Sequence, residues 1–384
     1  MGTLTATTAP DDANALRDRL APWFDVLNDG HLRRDAAATF PRDGWEVVRR
    51  TDVLGLPFPG RHGGQGCDLP TTMRVLEHLG YGCRDGGLTF SATTHMVSVG
   101  VPLHLYASDD LRRLYLPRIC AGDVIGAHAI TEPSGGSDAL HMETTATRDG
   151  DRYVLDGCKS LVTNGPVADL FTVYARTHPE GGPLGISAFL VERDRPGLAV
   201  GEPVGTMGLK TAPLGELRLD SCAVPASHRI GRSGAGFRIL EAVMAWEILL
   251  SFVVDVGRMQ HRLERCIDHV RTRRQFGQRI GAFQSVANKV VRMKIATDTS
   301  RKWLYDAAAR FAAGEPAAED IAIAKLVASE SNVSSALAAI QIFGGTGYLA
   351  ANGLEKDLRD AVAGTIYSGT TEIQQNRVAS LLGL

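Results

Sequence analysis

The chain has 384 residues, 44% apolar and 22% charged, and its 41 basic residues nearly balance 43 acidic ones for a formal net charge of -2. That composition describes a globular chain with a sizeable core, and it argues against a disordered protein or a basic nucleic-acid binder. With no apolar run of about 18 residues and no basic-then-apolar start, neither a spanning helix nor a secretory leader is expected, and a cytoplasmic protein is.

From Ala13 to Ala121 the apolar residues recur every three or four positions, as in Ala13-Leu16-Leu20-Trp23-Leu27, which predicts a helical block. Its breaks include Gly63-Gly64-Gln65-Gly66, which follows no strand and reads as a turn rather than a nucleotide cradle. Between Gly122 and Gly231 the pattern changes to short β-branched and aromatic runs: Tyr153–Leu155, Ser160–Thr163, Leu170–Tyr174, Ile186–Val191 and Glu216–Leu219. No helix-length segment separates them, so an antiparallel meander or small barrel is expected and parallel βαβ units are not. From Phe237 the helical period returns, first in a proline-free stretch to Arg274 that holds one long bent helix or more than one. It continues over 284–313 and 317–343, ahead of Gly344-Gly345-Thr346-Gly347. The expected organisation is therefore a helical domain over 1–121, a β domain over 122–232 and a helical bundle over 233–384.

The six cysteines are scattered singly with no C-x-x-C pair, and the 11 histidines form no metal-spaced pair. The cysteines are read as reduced packing residues, and no metal site is expected.

Chemistry-bearing motifs occur at the block boundaries. Ile130-Thr131-Glu132-Pro133-Ser134-Gly135-Gly136-Ser137-Asp138 joins the first two blocks; alone it reads as a loop rich in turn formers rather than a ligand site. It is followed in order by Lys159-Ser160-Leu161-Val162-Thr163-Asn164-Gly165, Arg273-Arg274-Gln275-Phe276-Gly277, Phe283-Gln284, Gln341-Ile342-Phe343-Gly344-Gly345-Thr346-Gly347-Tyr348, Leu358-Arg359-Asp360 and Ile366-Tyr367-Ser368-Gly369-Thr370-Thr371-Glu372-Ile373-Gln374.

Together with the α-β-α succession, this ordered set closely resembles the acyl-CoA dehydrogenase family of flavoproteins, from about Leu16 to the C-terminus. The resemblance implies a mainly α protein with a central β-barrel and a C-terminal four-helix bundle, FAD between barrel and bundle, and a homotetramer or homodimer. By position it implies that Ile130 and Thr131 contact the isoalloxazine, that Ser137 faces the thioester or pantetheine arm, and that Thr163 reaches flavin N5. It likewise assigns Arg273, Phe276 and Gln284 to the diphosphate and adenine end, Gln341 and Gly345 to a contact supplied by another subunit, and Thr370 and Glu372 to closure over diphosphate and ribose. A forked cation such as Arg273 and close backbone approach at Gly344-Gly345 suit a diphosphate. The competing reading of Arg273 is a solvated residue in a local basic cluster with Arg271 and Arg274.

Three positions depart from the family pattern, one of them Ile248, where an Arg normally stands. Leu161 stands where a Trp commonly lies against the flavin, and Ser368 stands where the family most often carries its catalytic Glu. A serine hydroxyl cannot serve as that base. In a minority of the family, including isovaleryl- and long-chain-specific enzymes, the carboxylate comes instead from the first long bundle helix, and the matching residue here is Glu247. It is set among Val243, Met244, Leu250 and Ser251 at helical spacing, so it is expected to face a pocket where burial raises its pKa. A salt-bridged Glu is the alternative. Ser368 is kept for its backbone N–H, which with a ribityl hydroxyl would polarise the thioester carbonyl.

The expected activity is flavin-dependent α,β-dehydrogenation of an acyl thioester linked to CoA or an acyl-carrier protein, with Glu247 as base and an electron-transferring flavoprotein or oxygen as acceptor. A flavin oxygenase or oxidase of the same fold, and a non-catalytic flavin-binding scaffold, remain as alternatives.

Overall fold

A computed structural model describes residues 10–384, so the first nine residues of the expected helical block lie outside the described residues. The chain begins with α1 (Pro10–Leu20), α2 (Phe24–Asn28), α3 (His31–Ala37), α4 (Arg42–Arg50), α5 (Leu69–Gly82), α6 (Gly86–His95), α7 (Val101–Tyr106) and α8 (Asp109–Ala121). Helix starts follow side-chain capping: Asp68 accepts from the Thr71 N–H at 2.8 Å and Asp85 from the Leu88 N–H at 3.2 Å. The run Gly63-Gly64-Gln65-Gly66 is a packed turn, since a Cβ on Gly64 would lie 2.0 Å from the Phe58 carbonyl oxygen.

The middle block holds β1 (Gly126–Ala129), β2 (Thr145–Asp149), β3 (Arg152–Thr163), β4 (Leu170–Arg176), β5 (Ile186–Glu192), β6 (Leu198–Val200), β7 (Leu214–Pro225) and β8 (Arg229–Ile230). Their order is β6-β7-β3-β2-β4-β5-β8, with β1 beside β4, so the hydrogen-bonded ladder runs from β6 to β8 without closing. The sheet departs from the expected antiparallel meander. The short apolar β1 escaped the sequence reading, and it pairs with β4 in parallel, from Gly126↔Leu170 to Ala129↔Val173. A hairpin, not a helix, fills the connection between these two strands, which is why no βαβ signature accompanies the parallel pair. The runs 153–155 and 160–163 belong to one strand, β3, whose pairing with β7 shifts register between Leu155 and Gly157 and again between Lys159 and Val162.

The last block holds α9 (Gly236–Thr272), β9 (Arg274–Gln275), β10 (Gln278–Arg279), α10 (Gln284–Ala312), α11 (Ala318–Phe343), α12 (Leu354–Ala363) and α13 (Thr371–Leu381). The stretch after Phe237 is one continuous helix of 37 residues. It can cross α5 at backbone contact because both helices present glycine: a Cβ on Gly80 would lie 2.0 Å from the Val254 oxygen, and one on Gly257 2.0 Å from the Glu77 oxygen. One continuous core spans the N-terminal helices, the sheet and the first two-thirds of α9, and a smaller one closes the far end of the bundle around Leu263, Cys266 and Ile342. None of the six cysteines is in a disulfide, and five are buried. Among the described residues no helix is long and apolar enough to cross a membrane, and no His/Cys/Asp/Glu group is arranged to hold a metal ion.

His95 joins the first two blocks. Its Nε2 lies 2.9 Å from the Ile119 carbonyl and its Nδ1 accepts from the Gly126 N–H at 3.0 Å, an arrangement that requires the neutral ring. Burial lowers its pKa to about 4, and His128 and His261 are lowered for the same reason to about 3 and about 4. In the unfolded chain these rings protonate near 6.5, so below that pH the unfolded state binds more protons. Their stabilisation is complete above about pH 6.5 and drains as pH falls toward 4. The melting temperature should therefore fall between pH 7 and pH 5, and His95→Ala should cost about 2–4 kcal/mol in urea unfolding through its two orphaned partners.

Candidate functional site

Glu247 lies in the first third of α9, between Val243 and Leu250, both fully buried. The Glu247 side chain as a whole stays partly accessible, while protein atoms packed round its carboxyl reduce its hydration. Desolvation raises its pKa to about 7, with a smaller opposing pull from the nearby Ser368 hydroxyl. Ser368 Oγ is close enough to exert that pull but makes no hydrogen bond of good geometry. Two tyrosines feel the Glu247 charge: Tyr174 of β4 and Tyr367, both driven well above the ordinary phenol range, chiefly by burial. The Tyr367 ring is held between Phe90, 4.6 Å away, and Phe252, 5.1 Å away and nearly parallel. An acid embedded in such surroundings is tuned to accept a proton near neutral pH.

Helix α6 ties this carboxylate to the sheet. Ser251, one turn beyond Glu247, donates to the Thr93 hydroxyl at 3.2 Å. Two residues earlier on α6, the Ser91 carbonyl accepts from Asn164 Nδ2 at 3.0 Å, and Asn164 directly follows Thr163. Thr163 is half-buried, whereas Leu161 is 61% exposed with φ +54, turned outward by the register shift in β3.

The loop carrying Ile130, Thr131 and Ser137 is fastened to β3 from beneath. The fully buried Lys159 ammonium reaches Glu132 at 2.7 Å and the Ile130 carbonyl at 3.1 Å, and the Ser160 N–H donates to the Thr131 carbonyl at 2.8 Å. Burial alone would raise the Glu132 pKa, but Lys159 and the N–H groups of Thr144 and Glu143 outweigh it and hold Glu132 below the usual carboxylate range. Ile130 and Thr131 are half-buried above this clamp and Ser137 is exposed. No hydrogen bond occupies the Thr131 or Thr163 hydroxyl among the described residues.

Thr370 caps α13, its Oγ1 accepting from the Ile373 N–H at 3.3 Å. Glu372, exposed in that first turn, is held below its usual pKa first by its own backbone N–H and then by the Thr370 hydroxyl. These two residues lie two and four positions after Ser368 and therefore sit at the Glu247 end.

The other predicted residues gather elsewhere. Arg273 ends α9, 26 residues beyond Glu247, a separation of about 39 Å along a straight helix. Phe276 is 92% exposed at the tip of the β9–β10 hairpin, with Gln284 exposed at the start of α10. Gln341 and Gly345 are exposed at the end of α11, and the stacked His269 and Phe343 rings, 4.0 Å apart, place that end beside the end of α9. Each copy of the chain thus carries two groups of predicted residues at opposite ends of one rod.

Three family models match in succession: the acyl-CoA dehydrogenase N-terminal domain over 10–123, the middle domain over 127–222 and the C-terminal domain over 234–382. The chain belongs to the acyl-CoA dehydrogenase family. It is 39% identical over 341 residues to a protein of Pseudomonas fluorescens named L-prolyl-[peptidyl-carrier protein] dehydrogenase, covering 88% of this chain and 90% of the relative. An acyl-CoA dehydrogenase of Bacillus subtilis is 34% identical over 367 residues, covering 95% and 94%. Among solved structures, the prolyl acyl carrier protein oxidase AnaB superposes with a TM-score of 0.95 at 40% identity, over 98% of this chain and all of the other. PigA with FAD and proline does so at 0.95 and 35%, over 99% and 100%.

Within this family frame, two cavities of about 20 and 360 Å³ share Arg84 and His261 and are not lined by Glu247. Their ionisable side chains largely satisfy one another, as in Tyr81 with Glu264 at 2.6 Å and Arg262 with Asp357 at 3.5 Å. Sequence reasoning missed the parts played by Tyr174, Tyr367 and the Lys159–Glu132 pair. Tyr367 and Lys159 stand inside motifs the sequence displays, but nothing local says that one is gripped between two rings or that the other meets a carboxylate 27 residues away. Lys159→Met should leave Glu132 buried without its cation and cost about 3–5 kcal/mol, read as a lowered denaturation midpoint.

Proposed function

We propose that this chain is a FAD-dependent α,β-dehydrogenase of a compact acyl thioester tethered to a carrier protein, with a prolyl group as the first candidate and a CoA thioester as the alternative form. The observation that carries the reading is the desolvated Glu247 carboxyl beside Ser368, in a chain similar to relatives named for prolyl-carrier-protein oxidation. A solvated, salt-bridged Glu would not have the raised pKa.

The residues present fit FAD. The clamped 130–131 loop offers backbone and a free threonine hydroxyl, Thr163 offers a second, and the outward Leu161 offers an apolar face for a flat ring. When bound, FAD supplies the acceptor for the hydrogen and electron pair that leave the substrate β-carbon. Glu247 takes the α-proton, and its affinity near neutrality lets it receive that proton and later release it. The Ser368 N–H binds the thioester oxygen, which stabilises the charge that builds there as the α-proton leaves. Ser137, exposed at the loop tip, contacts the pantetheine arm. Tyr367, held between Phe90 and Phe252, presents a buried ring on the Glu247 side of this turn.

The distance between the two residue groups supports an oligomer. The Arg273, Phe276, Gln284, Gln341 and Gly345 end cannot reach the same dinucleotide as Glu247 of its own chain, so a second copy presents it, in a homotetramer or homodimer. Thr370 and Glu372 meet the dinucleotide from the Glu247 side. Units over 1–121, 122–232 and 233–384, a cytoplasmic location, and oxygen or an electron-transferring flavoprotein as electron acceptor complete the reading.

The decisive experiment is anaerobic flavin reduction by L-prolyl carrier protein and by a panel of acyl-CoA thioesters. Glu247→Gln should slow reduction by about 10²–10⁴-fold. With the native residue the rate should climb with pH and level off above about 7, because only the ionised carboxylate is a base. A Glu247→Gln enzyme that bleaches at the native rate would assign the proton to another group. Arg273→Ala should weaken FAD binding about 10-fold or more, measured by flavin fluorescence on reconstitution, and an unchanged affinity would remove Arg273 from the site.

A further inference from the structure

The turn from Tyr367 to Thr370 is held in a shape its residues do not favour. Ser368 has φ +53, in the left-handed region that side chains other than glycine avoid, and Gly369 follows at +86. A left-handed non-glycine residue persists only where its surroundings enforce it, and here both sides are held. Before Ser368, the Tyr367 ring is gripped by Phe90 and Phe252, and its N–H donates to the Ala363 carbonyl at 3.1 Å. After Ser368, its carbonyl accepts a 2.7 Å hydrogen bond from Gln374 Nε2.

Gln374 is placed for that bond alone. It is 4% exposed, and its own N–H donates to the Thr370 carbonyl at 3.0 Å, which locks it into the first turn of α13. Its Oε1 is buried with no partner among the described residues, so the carbonyl of Ser368 decides which way the amide faces, since only the NH₂ end can donate. Gly369 leaves room for it: a Cβ there would lie 2.9 Å from Gln374 Nε2. The Ser368 N–H, like those of Gly369 and Thr370, enters no backbone hydrogen bond, whereas the N–H groups of Tyr367 and Thr371 that bracket the turn do. A strained residue, fixed on both flanks, is left with a free backbone N–H beside Glu247.

We infer that Gln374 is a positioning residue for the thioester carbonyl: by pinning the Ser368 carbonyl it fixes the backbone at 368 and aims the unpaired Ser368 N–H at the oxygen of the substrate. The inference rests on the proposed dehydrogenase reading. It adds a polar role for a glutamine that touches neither substrate nor cofactor, in a chain whose turn carries serine at the position where relatives of this fold often carry a carboxylate.

The test compares native holoenzyme with Gln374→Met and Gln374→Leu, which fill the space of the side chain but have no donor. Three quantities are read: FAD content with melting temperature, the limiting anaerobic rate of flavin reduction by L-prolyl carrier protein, and the infrared C=O stretch of the bound thioester labelled with ¹³C. The variants should retain FAD and melt within a few degrees of the native protein. Their limiting rate should fall about 10- to 100-fold with a smaller change in half-saturating substrate, and the C=O stretch should move back toward its value in water. Adding Ser368→Gly to Gln374→Met should recover part of the rate, because glycine occupies positive φ without strain. A folded variant with native rate and native stretch overturns the inference, and so does loss of the fold in both variants, which would make Gln374 structural. If no thioester bleaches the native flavin, the dehydrogenase reading itself fails; bleaching of the native enzyme with unaffected variants sinks the role of Gln374 alone.

Discussion

Withdrawing one carboxylate from water is the constraint around which this molecule is arranged. A glutamate on an exposed helix face would be ionised and solvated; Glu247 instead sits against fully buried aliphatic residues, with Tyr174 from the sheet and Tyr367 from the turn before α13 close enough to sense its charge. Three parts of the chain far apart in sequence must meet to build that enclosure. The contacts that bring them together are polar and specific: Ser251 to Thr93, Ser91 to Asn164, His95 to both Ile119 and Gly126. In each, α6 is the intermediary, which explains why so many of its residues are buried although its composition is unremarkable for a core helix.

The second organising feature is the length of α9. A single 37-residue rod carries Glu247 in its first third and the start of the Arg273 hairpin at its far end. It is held by backbone-close crossing with α5, which glycine on both partners permits. Because a helix rises about 1.5 Å per residue, the two groups of motif residues cannot converge within one chain. At the far end Phe276 and Tyr348 are almost bare, which leaves apolar surface exposed there.

Much of this was legible in the residues. The α-β-α order, the long helix after Phe237 and the apolar neighbours of Glu247 all follow from periodicity, because helix and strand present side chains at fixed intervals. The four-residue strand β1 was not legible: it is too short for an alternating pattern, and its parallel pairing with β4 depends on a hairpin folding across the gap. Neither was the fusion of two apolar runs into β3, since a register shift leaves no mark on composition.

The site divides the same way. Residue types in order, from Ile130 to Gln374, determined the family and the candidate base, because cofactor and thioester chemistry demand particular donors and acids at particular points of the chain. Tertiary structure alone decided the rest: that Glu247 is desolvated, that Lys159 meets Glu132 in the core, that Ser368 is forced left-handed with a free N–H, and that Arg273 lies at the opposite end of the rod. Those properties arise from distances across the fold, and a sequence records only separations along the chain.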